Sequence, residues 1–92
     1  MEVVLYGRAD CHLCERARVI LRRLSEEIVF EIRDQDVDVD SDLVDQYGDR
    51  VPVIVVEGYE VAEGRVNSRE LQRILEAIAV DRTSQRSKPR LV

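Results

Sequence analysis

The hydrophobic period of this 92-residue chain switches in order along its first third, and that switch constrains the fold more than any other feature. Val3-Val4-Leu5-Tyr6 is a short apolar run ended by Gly7, the pattern of a strand. Leu13, Ala17, Ile20, Leu21 and Leu24 then recur at spacings of three and four, marking one face of a helix expected to end near Glu26. Ile28-Val29-Phe30-Glu31-Ile32 reads as the second strand. A strand–helix–strand unit must cross over right-handed, so its strands lie parallel with the helix on one sheet face. The chain is therefore α/β.

The remaining elements follow from caps, breakers and runs. Ser41-Asp42 offers an N-cap to a short helix with Leu43, Val44 and Tyr47 inward, stopped by Gly48. Val53-Ile54-Val55-Val56 is a β-branched run suited to a central strand, and Glu57-Gly58 turns it toward Tyr59-Glu60-Val61-Ala62 as a hairpin. Asn67 and Glu70 have capping-box spacing ahead of Leu71, Ile74, Leu75 and Ile78, the apolar face of a last helix. The expected order is βαβαββα, a four-stranded mixed sheet flanked by helices. Pro52 opens the third strand, where its nitrogen need not serve the ladder. A sharper expectation is a cis Val51-Pro52 peptide that brings the Val51 backbone beside the Cys11 sulfur, offering an N–H and a C=O to an extended thiol substrate.

Length supports one domain, expected over residues 1–80, with residues 81–92 as a disordered basic tail. Four of the 14 bases lie in residues 82–92, which hold no acid, so residues 1–81 carry 10 bases against 19 acids, a net charge of −9. Such a body repels nucleic-acid phosphates and anionic lipid headgroups, so neither nucleic acid nor membrane is an expected partner. No basic-then-apolar leader and no apolar run near the roughly 20 residues of a bilayer span is present, which points to a soluble, cytoplasmic protein, expected as a monomer.

The only two cysteines stand in Cys11-His12-Leu13-Cys14, between the first strand and the first helix. The helix is expected to begin at about Cys11. Unpaired backbone N–H groups and the positive end of the macrodipole favour an anion there, and so a thiolate over a thiol. Cysteines this close cannot staple distant segments, and a reducing cytosol would keep a merely structural bridge open. The pair reads as a working dithiol.

With this strand–loop–helix, the Val51-Pro52 strand start and the closing helix, the chain resembles the glutaredoxin-like branch of the thioredoxin superfamily over about residues 2–79. The small bacterial and archaeal glutaredoxin-like proteins look closest. The resemblance implies a thioredoxin-like fold and thiol-disulfide exchange, with Cys11 as the exposed nucleophile and Cys14 as the buried resolving thiol. It further implies that Arg8, a basic residue before the first cysteine, stabilises the thiolate or holds a glutathione carboxylate. Implied substrates are a disulfide-containing protein or a small thiol, with a reductase or glutathione as electron donor. No bound cofactor is implied beyond the redox-active Cys11–Cys14 disulfide, and glutathione is a candidate co-substrate.

Departures from that family fall on the specificity elements. His12 and Leu13 replace the aromatic usual between glutaredoxin cysteines, and Glu63-Gly64-Arg65-Val66-Asn67-Ser68 holds one glycine and no acid at the cap where glutaredoxins have Gly-Gly and an acid. Weak glutathione dependence is the expectation. His12, the only histidine, lowers the Cys11 thiol pKa when protonated, while Asp10 opposes it. The alternating Asp34, Asp36, Asp38, Asp40 and Asp42 lack the glycine and glutamate spacing of a calcium loop, with Val39 and Asp45 in those places. They read instead as a solubilising loop after the second strand. Two other function classes stay open: metal or iron–sulfur binding through Cys11, His12 and Cys14, which falls short of a closed four-ligand zinc site, and a redox-inactive interaction module retaining the fold.

Overall fold

A computed structural model describes the backbone of residues 1–87 and the side chains of residues 1–81. Strand β1 (Glu2–Gly7) is followed by helix α1 (His12–Leu24), β2 (Glu31–Asp36), a 3-10 turn (Val37–Val39), α2 (Ser41–Tyr47), β3 (Val53–Val56), β4 (Tyr59–Glu63) and α3 (Ser68–Ser87). The sheet order is β2-β1-β3-β4, with β1 and β2 parallel and the other two pairs antiparallel. The expected mixed sheet is present.

Strand alternation divides the core between two faces. Val3 pairs with Val56 and Leu5 with Ile54, and these four meet Ala17, Leu21 and Leu24 of α1 and Leu71 and Leu75 of α3. Val4 pairs with Val55 and Tyr6 with Val53, and these face Val37, Leu43, Val44 and Tyr47 on the opposite side. One register thus assigns α1 and α3 to one face and α2 to the other, because successive strand side chains alternate. β3 carries four buried residues in a row because both of its faces are covered.

The hairpin turn Glu57-Gly58 has positive φ at both residues (53° and 85°), as a two-residue loop between right-twisted strands requires. At α3, Asn67 Oδ1 accepts the Glu70 N–H at 2.9 Å, the expected cap. The Val51–Pro52 peptide is cis.

The structure corrects three expectations. The second strand is not residues 28–32 but Glu31–Asp36, in register with β1 from Glu2↔Glu31 to Gly7↔Asp36. Ile28 instead donates its N–H to Leu24 O at 2.9 Å and is buried as part of the turn leaving α1, while Val29 stands 91% exposed. β2 is an edge strand in which only Ile32 and Gln35 are half-buried, so it tolerates charge, and acidic side chains also discourage edge-to-edge pairing. Asp34 and Asp36 are accordingly strand residues rather than loop residues. Second, the cap of α2 is Asp40, which accepts the Asp42 N–H at 2.8 Å, in place of Ser41-Asp42. Third, α3 runs on to Ser87, past the boundary drawn at residue 80. Residues 81–87 contain neither glycine nor proline, so no breaker ends the helix there. Residues 88–92 of the expected tail lie outside the described residues.

Candidate dithiol site

β1 delivers the chain to the site and α1 holds it. After Gly7 the backbone turns through Asp10 at φ 56°, a left-handed conformation that aspartate tolerates better than most residues. Cys11 is then the extended N-cap of α1, with φ −114° and ψ 107°. Its sulfur does the work usually given to a serine or aspartate oxygen, accepting the Cys14 N–H at 3.1 Å. The negative charge that a reduced Cys11 would carry faces an N–H donor and the positive end of the helix.

Cys11 and Cys14 are joined as a disulfide with a Cα–Cα distance of 5.1 Å. Their surroundings differ. Cys11 is half-buried, whereas Cys14 is fully buried in the first turn of α1. Gly7 makes room for Cys14: a Cβ on Gly7 would stand 3.3 Å from Cys14 Sγ, closer than ordinary van der Waals contact. Sequence reasoning took Gly7 only as the end of a strand and missed this role. Its place on the α1-facing side of β1, two residues after Leu5, was the available signal.

His12 is the exposed first residue of α1, and its side chain has no hydrogen bond or ion pair among the described residues. Arg8 lies in the expected loop, and its guanidinium is engaged by Asp38 and Gly48. It donates to Asp38 Oδ1 at 2.7 Å and Oδ2 at 3.2 Å, and to the Gly48 carbonyl at 3.3 Å. That hydrogen bond to Asp38 raises the Arg8 pKa and lowers that of Asp38. Arg8 is therefore a strut from the dithiol loop to the 3-10 turn and the end of α2, and Asp38 is a partner that the sequence did not point out. A Cβ on Gly48 would meet the Val44 carbonyl at 2.5 Å, so that glycine is required for the close approach.

Val51 and Pro52 arrive at the same end of the sheet. Tyr6 pairs with Val53, so the residue before Val53 lies next to Gly7 in the antiparallel register. Pro52 is fully buried and its carbonyl accepts the Gly64 N–H at 2.8 Å. Val51 is half-buried against the Tyr6 side of the sheet, and its backbone N–H and C=O make no hydrogen bond among the described residues. The register therefore gathers Gly7, Cys11, Cys14 and Val51-Pro52 at one sheet end. Behind them Tyr6 stacks on Tyr47 with centroids 4.1 Å apart and planes at 17°, and burial is the main cause of a raised Tyr47 pKa.

Comparisons with known proteins show the family and the fold. The family model described as glutaredoxin-like domain (DUF836) matches residues 2–76. Uncharacterized proteins of Mycobacterium tuberculosis and Mycobacterium bovis are each 34% identical over 76 residues, covering 77% of this chain and 78% of theirs. A solution structure of a Nitrosomonas europaea protein matches at 36% identity and TM-score 0.69, over 80% of this chain and 89% of that one. A crystal structure of an X. campestris protein matches at 33% and 0.68, over 82% and 96%. A mutant thioredoxin of Halobacterium salinarum, 24% identical with TM-score 0.67 over 85% of this chain and 74% of its own, shares the fold. The architecture is thioredoxin-like.

Proposed function

This chain belongs to the glutaredoxin-like domain (DUF836) family, and from that premise we propose that it is a thiol-disulfide oxidoreductase whose working group is the Cys11–Cys14 dithiol. The observation that carries the reading is the asymmetry of the pair: a reachable sulfur capping α1 and a buried one behind it. In the reduced protein the Cys11 thiolate attacks one sulfur of a target disulfide, forming a mixed disulfide and releasing the other target sulfur as a thiolate. Cys14 then loses its proton and attacks Cys11 Sγ. That step closes the Cys11–Cys14 disulfide and releases the second target sulfur, so two electrons have passed to the target. The free backbone N–H and C=O of Val51 suit the antiparallel edge of an extended substrate. His12, exposed at the helix start, adds a positive charge near Cys11 when protonated.

Glutathione dependence is weak in this reading. The approach to α3 has no acid to meet the α-amino group of glutathione, and Arg8 is engaged by Asp38. Losing one charged partner costs about 1.5–3 kcal/mol, or roughly ten- to a hundredfold in affinity. The donor is then a thioredoxin-reductase-type protein. The working compartment is a reducing one such as the cytoplasm, where a dithiol can be cycled. No helix among the described residues is long and apolar enough to cross a membrane.

The test uses Cys11→Ser and Cys14→Ser. Cys11→Ser abolishes reduction of a protein disulfide, and Cys14→Ser accumulates a mixed disulfide with substrate that mass spectrometry detects at Cys11. Alkylation of Cys14 before Cys11 in the reduced protein at neutral pH would reverse the roles. Efficient turnover of a glutathione mixed disulfide with glutathione alone would restore an ordinary glutaredoxin. Loss of both activities with the fold intact would point to an interaction module.

A further inference from the structure

A groove of about 870 Å3 runs between α1 and the entry to α3. Arg16 and Arg23 line it from α1, Arg65 and Arg69 from the approach and first turn of α3, and Ile20 and Val66 form part of its apolar floor. Glu27 is the acid among its walls. Arg8, Arg18 and Arg50 all have carboxylate partners, whereas none of the four groove arginines has an ion pair among the described residues. Their clustering contrasts with the net charge of −9 over residues 1–81.

Two terms oppose this arrangement in the free protein. Like charges repel around one groove. Arg69 also sits in the first turn of α3, where the macrodipole favours an anion and disfavours a cation. An anionic occupant offsets both. The length of the groove selects among anions: at 1.5 Å per residue, Arg16 lies about 7.5 Å and Arg23 about 18 Å along the helix axis from Cys11. A small thiol held through its sulfur at Cys11 does not span that distance. An extended polypeptide does, with roughly two residues to the first arginine and five or six to the last.

We propose that this groove docks an acidic, extended segment of a protein substrate, roughly two to six residues from the substrate's reactive cysteine. The inference rests on the exchange activity proposed above and names its substrate class. The chemistry is unchanged: Cys11 attacks the substrate disulfide while arginine–carboxylate pairs hold the flanking segment.

The experiment compares two single-cysteine peptides, each carried as a mixed disulfide with thionitrobenzoate. One has about five glutamates beginning two residues from the cysteine, and its twin has glutamines. Attack by reduced Cys11 joins the peptide sulfur to Cys11 and releases the coloured thiolate. Exposed ion pairs are worth about a factor of two each, so the glutamate peptide reacts about tenfold faster than its twin at low salt. That ratio falls toward one at about 0.5 M salt and in the Arg23→Gln/Arg65→Gln/Arg69→Gln protein. Binding of a fluorescein-labelled, cysteine-free pentaglutamate peptide, read by anisotropy, drops in the same variant. Equal rates for the two peptides, or a preference that survives in the variant, overturns the docking site. A salt-sensitive dimer of the protein alone, lost in the variant, also overturns it by giving the groove to a second copy. If wild-type protein fails to exchange even with bis(2-hydroxyethyl) disulfide, the redox reading falls, and the anisotropy arm still decides the groove.

Discussion

The two faces of the sheet are built differently, and the reactive pair is anchored on the drier one. The α1/α3 face is an aliphatic cluster with Val3, Leu5, Leu21, Ile54, Leu71 and Leu75 all essentially inaccessible, and Cys14 is buried in the same helix. The α2 face has fewer buried residues and relies on the Tyr6–Tyr47 stack. Its rim is charged: Arg50 lies 5.6 Å from the Tyr47 centroid and bonds Glu60 at 2.7 Å and Glu63 at 3.1 Å, while Arg8 holds Asp38. Aliphatic burial is insensitive to pH and salt, whereas charged rims are not. The difference teaches that the position of the buried sulfur depends on packing, and the loop that presents the exposed sulfur depends in part on charge.

The sharpest way to break that comparison is to truncate one core residue on each face. Leu21→Ala, on the α1/α3 face, is expected to lose about 2–5 kcal/mol in denaturant unfolding, the range for a buried leucine. Tyr47→Leu keeps most of the apolar bulk but removes the ring stack, for a loss of about 0.5–1.5 kcal/mol beyond area effects. Equal losses, or the reverse order, would mean that the two faces carry similar weight.

A smaller effect reads the anchoring of Cys14 directly. Gly7→Ala adds a Cβ against Cys14 Sγ, and the neighbour must shift by a few tenths of an ångström. Overpacking of this kind typically costs about 1–3 kcal/mol. The change also moves the buried sulfur, so resolution of the mixed disulfide slows more than its formation in stopped-flow kinetics. A substitution that destabilises the fold but leaves both steps in their original ratio would separate Gly7 from the dithiol.

The smallest effect belongs to the charged rim. Hydrogen bonding to Arg8 depresses the Asp38 pKa below the ordinary aspartate value, so the pair contributes stability above that value and loses it as pH falls through the folded-state pKa. The Arg8 pKa is raised, so its charge persists throughout that range. Both groups are solvent-exposed, and the contribution is screened. Wild type is expected to melt slightly above Arg8→Ala at neutral pH, with the gap narrowing toward pH 2. A gap that stays constant on acidification would assign the role of Arg8 to its contact with the Gly48 carbonyl instead.

Much of this molecule is legible in its sequence. The order of elements, the dithiol at the start of α1, the Glu57-Gly58 hairpin and the Asn67 cap each depend on a few adjacent residues. Local chemistry suffices for them: side-chain period, positive φ at a turn and a cap oxygen within reach of an N–H. The placing of Cys11-His12-Leu13-Cys14 between β1 and α1 is local as well, whereas side-chain partners distant in sequence are not legible. Arg8 was read as a ligand for sulfur or carboxylate, and its guanidinium meets Asp38, 30 residues away.

What the tertiary structure alone decided depends on segments distant in sequence. The acidic stretch became β2 because β1 offered a parallel edge from Glu31 to Asp36, although the apolar run lay three residues earlier. Gly7 became the seat of Cys14 because the strand–helix crossover folds α1 back over β1. Arg16 and Arg23 came to face Arg65 and Arg69 because α1 and α3 share one sheet face. Periodicity states which residues want to be buried and with what local geometry. It says nothing of which neighbour buries them, since strand pairing and helix packing are settled by contacts that only the folded chain brings together.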